Sequence, residues 1–374
     1  MSRLTRAITG RQSLTVATEF IEDYFCSGTY QGNGSGQAIS TSNGDSHAVD
    51  LQNNEGMIWI KGRSYGTHSY IYSTVRGVNK FLKANGNQVE DTNGNGAQGV
   101  SAFGTNSFTI GSGGSSFIDI NNINSTFDYW VFRSKPRFFD IVTYTGNSTD
   151  GATVGHGLDV EPSFVIIKSR NLGTVGSAGA HWSVSHQYLT GGLNGGNSAQ
   201  RIFFSLTNGE SGNAHGAISA ASSTTVTFKD GSGNSDDAHL NNSSGAYIMY
   251  SWADVPGYSR FGSYEGNGNS NGPYIDCGFR PALVIAKRID STDNWVMKDS
   301  KRNSYNPVFS NLNTNTTNSE FGSFDDVNSF DFYSNGFKIK GTNGAVNANG
   351  GRFVFMAWAE QPEVTPFGSQ SNGR

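Results

Sequence analysis

Cysteine is nearly absent from this chain, with two residues, Cys26 and Cys277, in 374. They occupy non-matching places in the repeat described below, so a disulfide framework is not expected and two buried or free thiols are. No apolar run approaches the roughly 18 residues that a membrane span requires, which leaves no helical membrane insertion. The opening MSRLTRAITGRQS has no apolar core of the kind a signal peptide needs. Clusters of Lys and Arg are missing too. With a formal net charge of -4 and a pI near 6.0, nucleic-acid binding has no electrostatic footprint.

Catalytic patterns are equally scarce. A glucanase on a β-sandwich needs paired carboxylates on one strand at an even spacing, and no strand-like run carries them. Glu19, Glu22 and Asp23 fall in the N-terminal segment and Asp325, Asp326 and Asp331 in a loop-like stretch, so all six read as solvated charges. The histidines are scattered, His156, His181 and His186 among them, and no G-x-S-x-G elbow occurs. Asp230 to Asp237 offers alternating oxygens like a calcium loop, but Ser235 replaces the turn Gly and Asn241 the bidentate Glu, so a polar turn is the better reading. The Gly-rich string 266–272 lacks the Lys and the helix of a phosphate loop. No catalytic or metal-binding residues and no cofactor are assigned, and the ligand-binding residues are left unknown.

What is present is glycine, 49 residues, with abundant Asn, Ser and Thr, and an aromatic content of 12% against 35% apolar overall. That composition favours many short strands joined by tight turns, with aromatic side chains supplying much of the core. A repeat organises it. Tyr-x-Gly-Asn opens three copies, at Tyr30, Tyr144 and Tyr264, and each copy then runs through a Gly-rich turn into an apolar stretch closed by Lys61, Lys168 or Lys287. Pro162 and Pro281 stand six residues before their lysines, where Glu55 stands in the first copy. The apolar stretches, such as Phe164 to Ile167, are too short for helices and suit strands buried on both faces. Phe103 to Phe108 matches Phe332 to Phe337 as a turn feeding a strand. Closing aromatic runs end at Phe132, Trp252 and Trp358. The spacing from lysine to closing aromatic is 71, 84 and 71 residues, which implies an insertion of about a dozen residues in the middle copy.

These marks predict an all-β chain of three tandem β-sandwich modules of jelly-roll, lectin-like type, over residues 27–134, 138–254 and 258–361, with an N-terminal arm at 1–26 and a polar tail at 362–374. The joins are short enough for the modules to touch. The tryptophans Trp59, Trp130, Trp182, Trp252, Trp295 and Trp358 could serve as sugar-stacking platforms, but their recurrence at strand positions favours core packing. Loops 230–245 and 341–350 are expected to face outward. Leu4, Ile8, Leu14, Val16, Phe20 and Ile21 of the arm have no repeat partner, so the arm is expected to dock on another protein or on copies of itself.

The copies resemble a tandem repeat of virion structural proteins of tailed bacteriophages, marine ones especially, described as a concanavalin-A-like or laminin-G-like sandwich. Tyr144 to Asn147, Gly155 to Leu158 with Pro162 and Lys168, Ser73 to Gly77 with Lys80 to Leu82, and the closing aromatic strands carry the likeness. It implies a non-enzymatic virion component: a tail fibre or spike that carries lectin-like modules towards host cell-surface glycans, or a capsid decoration protein. Its partners would be other virion proteins and copies of itself, a trimer among the states open. A glycan-active enzyme of the sandwich class is the alternative. Assembly inside the host followed by lysis would fit the lack of an export signal.

Overall fold

The computed structural model describes residues 20–42, 47–92, 98–112, 120–175, 178–211, 216–229, 239–324 and 327–360, with the backbone of Glu363–Val364 and Gln370–Ser371. Strand makes up 44% and helix 5%, so the protein is all-β with multiple antiparallel sheets. Each third of the chain builds one large sheet and one of three strands, and no described sheet mixes thirds.

The large sheets share one order. An opening strand (Phe25–Gln31, Phe139–Thr145, Ser259–Glu265) pairs with a closing strand (Thr126–Arg133, Ala246–Trp252, Arg352–Ala359). Next come the lysine strand (Gly56–Gly62, Phe164–Ser169, Pro281–Arg288), a fourth strand (Ser69–Ser73, Ser183–His186, Val296–Asp299) and a short fifth (Lys80–Lys83, Ile202–Phe203, Leu312–Asn313). The registers match residue for residue. Met57, Phe164 and Leu283 stand opposite Phe132, Trp252 and Trp358 respectively. Pro281 begins its strand at a bulge, where a missing N–H breaks no ladder. The turn between Phe103 and Phe108 and that between Phe332 and Phe337 are matched hairpins, as their sequences predict, with Ala221 and Val226 as the counterpart in the second copy.

The opening motif is explained by what surrounds it. Tyr30, Tyr144 and Tyr264 donate their hydroxyls to the carbonyls of Ile120, Leu240 and Val346 at 2.6, 2.6 and 2.8 Å. The next residues, Asn121, Asn241 and Asn347, are buried and accept the backbone N–H of Asn33, Asn147 and Asn267 at 2.8–3.0 Å. The intervening glycine is required by contact: a Cβ on Gly32, Gly146 or Gly266 would lie 2.1–2.3 Å from a carbonyl oxygen of that same loop. One Tyr, one Gly and one buried Asn therefore tie the two ends of each copy together.

Alternation along the closing strand decides where the core lies. In the first copy Phe127, Tyr129 and Val131 face the three-stranded sheet, while Trp130 and Phe132 join a cluster drawn from all three copies. Tyr247 and Met249 against Ile248, Tyr250 and Trp252 divide the same way. Large sheets are thus covered on both faces, which is why their sequences are continuously apolar. The closing aromatics do not fill the middle of their own sandwiches, as the sequence suggested. They meet each other: the ring centroids of Phe132, Trp252 and Trp358 are 5.2, 5.6 and 6.0 Å apart, a triangle about a pseudo-threefold axis.

Other expectations need correction. Ile21, Tyr24 and Phe25 are buried in the shared core and Phe25 begins the opening strand, so this part of the arm is packed within the molecule; residues 1–19 lie outside the described residues. Glu22 is buried, not solvated, and Asp23 pairs with His47 at 3.0 Å. Segment 341–350 turns inward only at its centre, where the short helix Gly344–Asn347, capped by Asn343, buries Ala345, Val346 and Asn347, while Thr342, Asn349 and Gly350 are exposed; likewise His239, Leu240 and Asn241 are buried while Ser243 and Ser244 are exposed. The extra length of the middle copy is not one insertion: relative to the first, six residues precede Trp182, where Thr174 to Gly179 pair as a small hairpin, and seven more lie before Ile202. In the tail, Glu363–Val364 pairs with Gln370–Ser371.

Candidate functional site

The lysines that close the apolar runs are fully buried, 0% exposed in each copy, and each reaches into the neighbouring copy. Lys168 donates to the carbonyl of Asn87 (3.2 Å), Lys287 to that of Thr207 (3.1 Å), and Lys61 to that of Thr316 (2.9 Å). Copy two grips copy one, copy three grips copy two, and copy one grips copy three. The ring is closed. A second contact repeats with it: the backbone N–H of Glu90, Glu210 and Glu320 donates to the carbonyl of Arg170, Ile289 and Arg63 at 2.6–2.8 Å. Their carboxylates then pair across the joint, Glu90 with Arg170 at 2.9 Å, Glu320 with Arg63 at 2.9 Å, and Glu210 with Arg352 at 3.0 Å where Ile289 replaces the arginine. Head-to-tail contacts of one kind that close on themselves are the geometry of a cyclic trimer, here within one chain.

Two joints carry a third contact. Trp182 Nε1 donates to the carbonyl of Lys83 at 2.9 Å and Trp295 Nε1 to that of Phe203 at 3.0 Å. Register places Ser69 at the matching position of the first copy, and there Trp59 of the adjacent strand donates to the Ser69 hydroxyl at 2.5 Å. All six tryptophans are buried, so core packing is the role of each, although Trp59, Trp182 and Trp295 do not recur at one position as the sequence suggested. At the axis Trp59 and Trp182 help enclose an apolar cavity of about 20 Å³, lined also by Phe132, Phe164, Trp252 and Trp358.

The joint between the third and first copies differs. Asp128, where the other copies have Ile248 and Val354, meets Arg302 at 3.1 Å; Arg302 also holds Asp299 at 2.6 Å and faces Glu320 at 3.5 Å, while Arg63 lies 3.6 Å from Asp128. Three carboxylates share two guanidinium groups. Burial first, and then the charge of Asp299, pushes the Asp128 carboxyl well above the usual carboxylate range. With Asp128 and Asp299 each 1% exposed, this acid pair is enclosed, and its role is to lock the ring. The sequence search missed this acid pair because the residues come from different copies.

The remaining sequence candidates are not brought together. His186 is buried and neutral: Nε2 donates to the Phe355 carbonyl (3.2 Å), Nδ1 accepts from the Tyr188 N–H (3.1 Å), and burial lowers its pKa to about 4. His181 contacts the Ser205 hydroxyl at 3.0 Å, and His156 lies near Asp140, which holds the Gly157 N–H at 2.7 Å. Asp331 stands on a strand, Phe330–Tyr333, not in a loop. Residues 230–238 and 325–326 lie outside the described residues, so the calcium-like segment is described only from His239, where Asn241 serves the opening motif. No group of three or more potential metal ligands occurs among the described residues. Cys26 and Cys277 are free and buried.

The buried lysines set a pH dependence. Desolvation lowers Lys168 to about 7 and Lys61 and Lys287 to about 8. Above those values the folded protein has released protons that the unfolded chain keeps up to pH about 10, so stability rises as pH increases. Cys277, raised to about 12, and Cys26, raised further, act oppositely once unfolded thiols ionise near pH 9, and the raised pKa of buried Tyr30, Tyr72 and Tyr264 does the same above pH 10. Urea midpoints measured from about pH 7.5 to 11, above the range in which the unfolded histidines titrate, are therefore expected to climb against the opposing effect of the raised Asp128 carboxyl, level off near 9 and fall beyond 10. In a Lys61→Met, Lys168→Met, Lys287→Met protein the climb should vanish.

The profile of the family described as Domain of unknown function (DUF7483) matches residues 21–362, which takes in all three copies. The chain belongs to that family. No curated protein matches it.

Proposed function

We propose that this family member is a non-enzymatic structural protein of a tailed-bacteriophage virion, a tail-fibre or spike-type appendage that presents lectin-like sandwiches to the host surface. The observation that carries the reading is the closed ring. Three sandwiches locked through the same lysine and glutamate contacts around one aromatic core make a stiff block without hinges between copies, suited to holding a surface at fixed orientation rather than to closing on a substrate. The repeat's likeness to virion proteins supports the same class. A pseudo-threefold ring also fits a threefold position on an icosahedral shell, and that observation favours capsid decoration as the second reading.

The test is peptide mass spectrometry of purified particles from the phage whose genome encodes the chain, followed by antibody labelling in the electron microscope. The protein is expected in the particle at fixed stoichiometry with label at the tail. Label over the capsid would select decoration, and absence from the particle would overturn both readings.

A further inference from the structure

The three copies act as internal controls for one another, and the outer sheet of the third copy departs from the other two. Ile275 pairs with Phe337 as Ile39 pairs with Phe108 and Val154 with Val226, so Tyr274 stands where the other copies have Ala38 and Thr153. The hairpin registers likewise place Tyr333 opposite Gly104 and Ser222, and Asp331 opposite Ala102 and Ala220. Asp276 matches Ser40 and Gly155, and Lys338 matches Thr109 and Thr227. The sandwich folds in two copies with small side chains on this face. Nothing in the fold calls for the larger ones.

Their arrangement has a chemistry. Along the strands Tyr274–Asp276, Gly336–Ile339 and Phe330–Tyr333, the residues Ile275, Phe337, Ile339, Phe330 and Phe332 are buried, so alternation puts Tyr274, Asp276, Lys338, Asp331 and Tyr333 on the outer face. Tyr274 is 46% and Tyr333 40% exposed, and their rings lie 6.0 Å apart at 66°. Between them sits Gly336, paired with Asp276 on one side and Tyr333 on the other; a Cβ there would lie 2.0 Å from the Ile275 carbonyl oxygen and 3.0 Å from the Tyr274 hydroxyl. Only glycine allows that backbone approach, and it lets the Tyr274 hydroxyl lie low over the central strand. Around the two rings are hydroxyl-binding groups already oriented by one another: the Tyr333 hydroxyl donates to Asp331 (3.2 Å), Lys340 stands 3.7 Å from Asp331, and Lys338 donates to Asn271 at 2.5 Å.

We propose that this face of the third copy is a saccharide-binding site, taking a pyranose unit of a surface polysaccharide with its C–H face against Tyr274 or Tyr333 and its hydroxyls on Asp276, Asp331 and Lys338. Aromatic faces carry partial negative charge and attract the C–H edges of such rings, while carboxylates and an ammonium match hydroxyl donors and acceptors. A protein partner would favour a mainly apolar anchor in a dry pocket; here every aromatic is flanked by a charge. The assignment rests on the attachment reading above and locates it on one of three copies.

The experiment uses the full-length protein on a printed array of bacterial capsular polysaccharides, lipopolysaccharide O-chains and their mono- and disaccharides, with the best-binding oligosaccharide then titrated by calorimetry. Tyr274→Thr and Tyr333→Ser install the second copy's residues, so folding should persist, as an unchanged urea midpoint will verify. Each substitution is expected to weaken binding about tenfold or more and the pair to abolish it, about 1.4 kcal/mol or more apiece. Tyr274→Phe with Tyr333→Phe should retain most of it, and Tyr188→Ser, at an exposed tyrosine elsewhere, all of it. Undiminished binding by the double Thr/Ser variant would overturn the site and leave the attachment reading standing, whereas a wild-type protein that binds no glycan and no host cell would overturn both. Host-cell binding that survives periodate oxidation of the cell's sugars would make the partner a protein and overturn the saccharide assignment.

Discussion

Trp252→Ala and Trp358→Ala are each expected to destabilise the protein by about 3–5 kcal/mol, the range for deleting a large buried aromatic, and to do so for all three copies at once. The two indoles and Phe132 form the contact triangle at the axis, so truncating one enlarges a cavity bordered by the other two and by sheets of every copy. Relaxation cannot fill it from one side without pulling a sheet off its own three-stranded partner. Because the core is shared, wild type and variants should unfold in a single calorimetric transition, with calorimetric and van't Hoff enthalpies equal. Separate transitions, one of them unmoved by either substitution, would show that the copies fold independently. Retained stability with a lost ligand would instead make these tryptophans binding residues.

Arg302→Ala is the second large effect. It leaves Asp128 and Asp299 buried with their shared guanidinium gone, and removing one partner from a buried charge network costs about 3–5 kcal/mol. The geometry adds to that figure, since Arg302 also donates to the carbonyls of Met297 (2.9 Å) and Ser310 (3.2 Å). Asp128→Ile, which installs the residue of the second copy, should be milder: it removes the surplus carboxylate and leaves Arg302 on Asp299 and Glu320. Chemical denaturation of the two variants side by side checks the order. If Asp128→Ile proves the worse of the two, Asp128 holds the joint and Arg302 only follows.

Much of the fold was legible in the sequence. Tyr-x-Gly-Asn, the lysine-terminated runs, the closing aromatics and the paired hairpins all report local geometry, in which strand alternation and turn chemistry leave a trace in neighbouring residues. The ring was not legible. Lys61, Lys168 and Lys287 read as the polar ends of strands, because nothing nearby in sequence reveals a carbonyl waiting in another copy some 80 to 255 residues away. Asn121, Asn241 and Asn347 were missed for a different reason: a polar residue inside a Gly/Asn-rich stretch looks like any turn, although the repeated apolar-Asn step was there to be aligned. Asp128 and Arg302 come together only once the ring closes. As for the outer face of the third copy, exposure of Tyr274 and Tyr333 shows only when the copies are superposed strand by strand.

Ring closure between the first and last copies bears on how the chain is made. Lys61 and its acceptor Thr316 are 255 residues apart, and at the usual 5–20 residues per second a ribosome needs on the order of 10 to 50 s to bridge that gap. For that interval the inner face of the first sheet, with Trp59, Trp130 and Phe132, has no third copy to cover it. A nascent chain in this state exposes an aromatic surface that any other unfinished copy of the same chain could cover in trans. Slow emergence therefore favours exchange of thirds between neighbouring polysomal chains, and the buried ion network that only the final copy completes selects a third copy over a first or second one at that joint, whichever chain supplies it.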